Sequence, residues 1–216
     1  MIKKQLKRLT LFGLLGVLLV GCGTGNAVVK KDPPKETTQG EVSDPIQEQT
    51  VPAQKIASTI KLEYDFGTMK ETVDANLWQG QKDYHIYLPD TVVGTQDPTG
   101  VDIIKTKEIP ESSLEIQQLD KDTNITELIK SEKAKLQEAY PGFEIKSAEL
   151  ENKFSGKVLK SLSVTNDSQG TSIYIVEIND TVFKFTMHLW VSEQWEVTRF
   201  ITMINSIIIT PQGAAI

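Results

Sequence analysis

Hydrophobic positions along the chain change period several times, and each change marks an element. Ile60, Leu62, Tyr64 and Phe66 alternate with polar residues, the period of a strand with one buried face. Thr72 to Leu77 repeats the pattern more weakly, and Tyr84-His85-Ile86-Tyr87-Leu88 more strongly until Pro89-Asp90 closes it. Val101 to Lys105 and Leu114 to Leu119 are further extended pieces, although the pattern between Pro89 and Pro110 is the least regular in the chain. The period then lengthens. Ile125, Leu128, Ile129, Leu136 and Tyr140 fall on one helical face behind Asn124, whose spacing to Glu127 is that of a capping box, and Pro141-Gly142 ends the run. Four strands are predicted next, over Phe143 to Glu151, Val158 to Val164, Ile173 to Ile178 and Val182 to Trp190. Short connections rich in turn-forming residues make them an antiparallel meander. A closing helix is predicted from Ser192, with Trp195, Phe200, Ile201, Ile204 and Ile208 on its buried face and Pro211 as its stop. The order predicts an α+β fold: an antiparallel sheet of about six strands with two main helices packed on it.

The N-terminal 58 residues follow another logic. Lys3, Lys4, Lys7 and Arg8 precede an apolar run from Leu9 to Val20, too short to span a bilayer but suited to an export signal. Leu19-Val20-Gly21-Cys22 resembles the lipobox of bacterial lipoproteins, and Cys22 is the one cysteine in the 216-residue sequence. The resemblance implies cleavage before Cys22 and a diacylglycerol on its sulfur. Acyl chains contribute ~0.8 kcal/mol per buried methylene, so two or three hold a domain at a bilayer without a transmembrane helix. From Gly23 to Ser58 the chain is polar, carries Pro33, Pro34, Pro45 and Pro52, and has no aromatic residue. Such a composition predicts a disordered tether with a reach on the order of 30 Å. The expected organisation is therefore a signal peptide over 1–21, a lipid-anchored linker over 22–58 and an α+β domain over 59–216. That places the domain on the extracytoplasmic face of the cell membrane.

Within the domain, the Tyr140-Pro141-Gly142-Phe143 turn after a helix, the hairpins, the aromatic strand Phe183 to Trp190 and the closing helix resemble the PsbP-like family. The likeness runs over Tyr64 to Ile209. The family includes a photosystem subunit, Ran-binding proteins and bacterial lipoproteins such as the DcrB group. Membership implies a fold far more than an activity, and no family site residue can be carried over.

Charge narrows the partners. The formal net charge is −6, and removing the four leader cations leaves 19 of the 23 Lys and Arg against 29 acidic residues. A polyanion such as nucleic acid would be repelled, as would an anionic bilayer, so the lipid alone is expected to hold the domain at the membrane. Catalytic signatures are sparse. Neither a serine elbow nor a phosphate-binding loop occurs, and the two histidines, His85 and His188, lie in predicted strands. Asp120, Asp122 and Asn124 imitate the start of a calcium loop, but Ile125 and Ser131 stand where glycine and glutamate belong, so helix capping explains them better. Asn124, Asn166 and Asn179 match the glycosylation pattern and read as cap and turn residues. Trp78, in a predicted loop, is the candidate contact for an envelope protein partner, against the alternative that its ring folds onto the sheet edge. The composite expectation is a lipid-anchored extracytoplasmic module without cofactor or metal, non-catalytic, binding a protein or small ligand. The alternative is an envelope hydrolase with an acid/base site assembled by folding from His85, His188 or scattered carboxylates.

A Cys22→Ser chain expressed in its native host should lose labelled palmitate and leave the membrane fraction. Retention in membranes with no label on the parent chain would contradict lipidation.

Overall fold

The computed structural model describes residues 56–193 and 195–210. Cys22, the leader and the linker up to residue 55 lie outside the described residues. Alternation builds the first sheet. β1 (Thr59–Asp65) buries Leu62 and Tyr64 and leaves Lys61 and Glu63 in water. It pairs antiparallel with β2 (Lys70–Gln79), which pairs with β3 (Tyr84–Pro89), and β10 (Ile208–Ile209) adds to the far side of β3. Every residue of β3 is buried, as expected of a central strand covered on both faces.

Asp90-Thr91 turns the chain out of this sheet and into a second one. β4 (Val92–Gln96), β5 (Asp102–Thr106) and β6 (Ser113–Gln118) follow in sequence. After a helix, β7 (Lys157–Thr165), β8 (Gln169–Ile178) and β9 (Thr181–Trp190) complete six strands in the order β4-β5-β6-β9-β8-β7, all antiparallel. The β8–β9 turn is Asn179-Asp180, with φ of 47° and 62°, the left-handed pair required by a two-residue turn that matches strand twist.

The six-stranded sheet is apolar on both faces. Tyr174 and Val176 of β8 with Phe183, Phe185 and Met187 of β9 point toward the first sheet and α2 (Trp195–Ile204). Phe200, Met203 and Ile204 of that helix are fully buried in the same core. The intervening positions Ile173 and Ile175, with Leu162 and Val164 of β7, face the other way and are covered by Leu136 and Tyr140, on and just beyond α1 (Ile125–Ala139). The Asn124 side chain accepts the backbone N–H groups of Thr126 and Glu127, the N-cap read from the sequence.

The α+β class, the two helices and the six-stranded antiparallel sheet agree with the expectation, and four corrections accompany them. Among the described residues the strands number ten in two sheets. The irregular stretch after Pro89 adds β4, which forms a hairpin with the expected extended piece, β5. The closing helix starts at Trp195 rather than Ser192, after a 3₁₀ turn at Val191–Glu193, and stops at Ile204, so Ile208 belongs to a strand. Ser206 caps the change: its hydroxyl donates to the Met203 carbonyl and accepts the Tyr87 N–H.

The fourth correction matters most. Phe143 to Glu151 is not a strand. It makes one isolated bridge, Lys146 opposite Ser163, and then enters a 3₁₀ turn at Glu151–Lys153. Two features stop it pairing further. The register of β7 slips at Leu159, between Val158 and Lys160, which twists this edge strand away. The Ala148 N–H, which a strand would use for a backbone carbonyl, goes instead to the Ser161 hydroxyl.

Phe185→Ala empties a fully buried site and should cost about 3–5 kcal/mol, while Met69→Ala, at a position 61% exposed, should stay within about 0.5 kcal/mol in a denaturant titration. His85 provides a pH test. Burial lowers the pKa of this imidazole, whose Nδ1 lies 2.8 Å from the Thr210 hydroxyl. The unfolded chain then takes up a proton near pH 6.5 that the folded chain resists, so this contribution to stability is complete above about pH 6.5 and falls as pH drops below it. The melting temperature should fall between pH 7.5 and 5.5, and His85→Asn should flatten that fall; parallel curves would refute the assignment.

Candidate functional site

The incomplete strand leaves a gap beside the sheet. A cleft of about 500 Å³ opens between the 144–150 segment and the ends of β7, β8 and β9. Its floor is made of hydroxyls. The Ser163 and Ser172 oxygens are 3.0 Å apart across the β7–β8 register, with Thr165 at the rim and Tyr174 below. Burial raises the pKa of the Tyr174 phenol, opposed by hydrogen bonds from Ser172 and the Leu150 backbone, so the group stays a neutral hydroxyl. Leu189, Trp190 and Val191 form the opposite lip, and Val197 and Thr198 of α2 close one end. Trp190 is 39% exposed, high for so large an apolar side chain. The charges on the lining sit on one wall, as Glu144, Lys146 and Glu149, and the Lys146 ammonium is 3.4 Å from Glu144. The volume and mixed lining are those of ligand clefts.

A second polar constellation lies on the other face of the sheet. Tyr140 Oη is 2.8 Å from Thr171 Oγ1, Thr171 Oγ1 is 3.1 Å from His188 Nδ1, and His188 Nε2 is 3.6 Å from Glu115. Contact with the imidazole holds the Glu115 carboxyl below its ordinary range, against burial that pushes it up. The order carboxylate, imidazole, hydroxyl is that of a hydrolytic triad. Thr171, however, is 4% exposed and its hydroxyl is engaged by Tyr140, so a substrate carbonyl has no approach to it. The chain of bonds ties the C-terminal end of α1 to the sheet.

Other charged groups have structural duties. On α1, burial would raise the Glu132 carboxyl, but hydrogen bonds and charge from Lys135 and Lys184 outweigh it and hold the group low. Arg199 of α2 bridges the buried Glu196 and Glu71 of β2 at 3.3 and 3.2 Å, and its guanidinium lies 4.3 Å from the Trp195 ring centroid. Glu196, in the first turn of α2, is thus a member of a buried ion network. Tyr64, beneath the same arginine, is pushed up to about 12 by burial, partly offset by that positive charge. Tyr84 donates to the buried Asp102, and burial followed by that bond raises its pKa.

Among the residues singled out from sequence, Trp78 lies in β2 opposite Ile86, not in a loop, and is half-buried against the core. A Cβ on Gly94 would come within 2.8 Å of its ring, so glycine there makes room for the indole. His85 and His188 stand in different sheets with different partners. Asp120 pairs with Lys82 at 3.1 Å. Asn166 accepts the N–H groups of Ser168 and Gln169 in the β7–β8 turn, the role expected of it. Among the described residues no group of three or more His, Cys, Asp or Glu side chains is placed to hold a metal ion. The cleft residues were missed. Their available signal was the alternation Ser161-Leu162-Ser163-Val164-Thr165, which sets hydroxyls on one face of β7 and apolar groups on the other.

Two solved structures are similar in outline. One is a crystal structure from Bacteroides thetaiotaomicron VPI-5482 at 1.50 Å, with 8% identity and a TM-score of 0.41 over 64% of this chain and 49% of that one, so the likeness spans about half the length of the Bacteroides chain. The other is the solution structure of cyanobacterial PsbP (CyanoP) from Synechocystis sp. PCC 6803, with 10% identity and a TM-score of 0.40 over 62% of this chain and 92% of that one. No curated protein matches the chain. A family model described as a domain of unknown function (DUF8580) matches residues 56–208, the whole of both sheets but the last residue of β10, and the chain belongs to that family.

Proposed function

We propose that the chain is an exported module, tethered to the membrane through lipid on Cys22, that binds a partner or ligand outside the cytoplasm in the cleft between the 144–150 segment and β7–β9. The single observation carrying this reading is the cleft itself: a volume of about 500 Å³, a hydroxyl floor and an exposed tryptophan on its lip. A non-catalytic role is supported by the only triad-like run on the described surface having its hydroxyl buried under Tyr140. The aromatic contact moves from Trp78, which packs against Gly94, to Trp190. The tether adds reach, so the cleft can meet a partner clear of the headgroups.

A benzophenone side chain placed at Thr165, on the cleft rim, should form adducts in intact cells that are absent when the same group is placed at Met69 in the β1–β2 turn. The Thr165 adducts should fall several-fold when Trp190→Ala is added. Equal adducts at both positions, or none at Thr165, would overturn the cleft as the binding site.

A further inference from the structure

The lining of the cleft restricts the chemistry of what it can hold. An anionic ligand is disfavoured, because the one cation among the described lining residues, Lys146, sits 3.4 Å from Glu144, and Glu149 adds a second negative charge to the same wall. A wholly apolar ligand is also a poor fit, because it would desolvate Ser172, Thr165 and Thr198 without replacing the water bonds they lose. What remains is an uncharged ligand with many hydroxyls and some apolar surface.

The aromatic residues point the same way. Four large hydrophobic side chains are strongly exposed among the described residues: Met69, Val93, Phe143 and Trp190. Of the two aromatic ones, Trp190 lines this cleft. An aromatic face is electron-rich and attracts the electropositive C–H face of a pyranose ring, while the ring's hydroxyls project sideways, where serine, threonine and tyrosine hydroxyls can both donate and accept. Burial keeps Tyr174 protonated, so the floor offers neutral donors only. The cleft volume of about 500 Å³ exceeds that of one pyranose ring, which suits a segment of a chain.

We infer that the cleft between the 144–150 segment and β7–β9 binds a neutral oligosaccharide, stacked on Trp190 and hydrogen-bonded by Ser163, Ser172 and Thr165. This rests on the proposed cleft-binding function and names its ligand class.

The full chain, held in a detergent without a sugar headgroup, tests this with maltotriose, cellotriose and chitotriose as separate probes in saturation-transfer NMR and tryptophan fluorescence. At least one probe should receive saturation on its ring C–H protons and shift the tryptophan emission. Trp190→Ala should weaken binding about 3- to 10-fold, the loss of one aromatic contact, and Trp190→Phe should restore most of it. Ser172→Ala should weaken binding without changing the emission shift at saturation. Both positions line the cleft, and an unchanged melting temperature confirms that each variant folds. No transfer to any of the three probes, or transfer unaffected by Trp190→Ala, would overturn the saccharide assignment. If the Thr165 adducts form in cells while all three probes fail, the cleft is a binding site for another class and only this inference falls; if the adducts fail too, the proposed function falls with it.

Discussion

The β8–β9 hairpin is the constraint on which the rest of the molecule depends. A strand exposes successive side chains to opposite faces, so a hairpin that is apolar at both parities needs cover on both sides. Tyr174, Val176, Phe183 and Phe185 demand one cover, and Ile173 and Ile175 demand another. The first is met by α2 and the four-stranded sheet, the second by α1. Moving the register of β9 by one residue would send Phe183 and Phe185 toward Glu132 on α1 and drive Lys184 into the opposite core. The left-handed Asn179-Asp180 turn prevents this by fixing which residues face each other.

The cleft follows from what that architecture does not cover. β7 is an edge strand, and the chain returning from α1 runs beside it without becoming a seventh strand. Edge strands are usually protected by bulges, charges or a covering loop, and all three are present: the slip at Leu159, the Glu144-Lys146-Glu149 wall and the segment itself. The side effect of guarding an edge with a loop instead of a strand is space. Hydroxyls on the α2-facing parity of β7 and β8 line that space, and the end of β9 delivers Trp190 to its lip.

Legibility in the sequence tracked how far each element's identity was set by its own residues. α1 with its Asn124 cap, β7, β8, β9 and the hairpin turns were readable because their periodicity is long and their turn residues have one good use. β4 was not, since Val92-Val93-Gly94 is short, half-exposed and interrupted by a glycine whose reason is the distant Trp78 ring. Trp78 itself was misplaced because Gly80 suggested a loop, whereas cross-strand pairing with Ile86 keeps it in β2. Phe143 to Glu151 has the alternation of a strand but lacks a partner able to pair with it, and a partner's bulge cannot be read from the segment's own residues. The cleft was invisible for the same reason: it is the consequence of a pairing that does not form.

Amide hydrogen exchange read residue by residue along 143–151 and β7 tests that origin directly. The account predicts slow exchange at Lys146 and Ser163, whose N–H groups pair with each other's carbonyls at 2.8 Å, and fast exchange at Glu144, whose N–H a seventh strand would direct at β7. Protection at Glu144 equal to that at Lys146, as in a complete seventh strand, would mean that the edge is sealed and the cleft does not exist in solution.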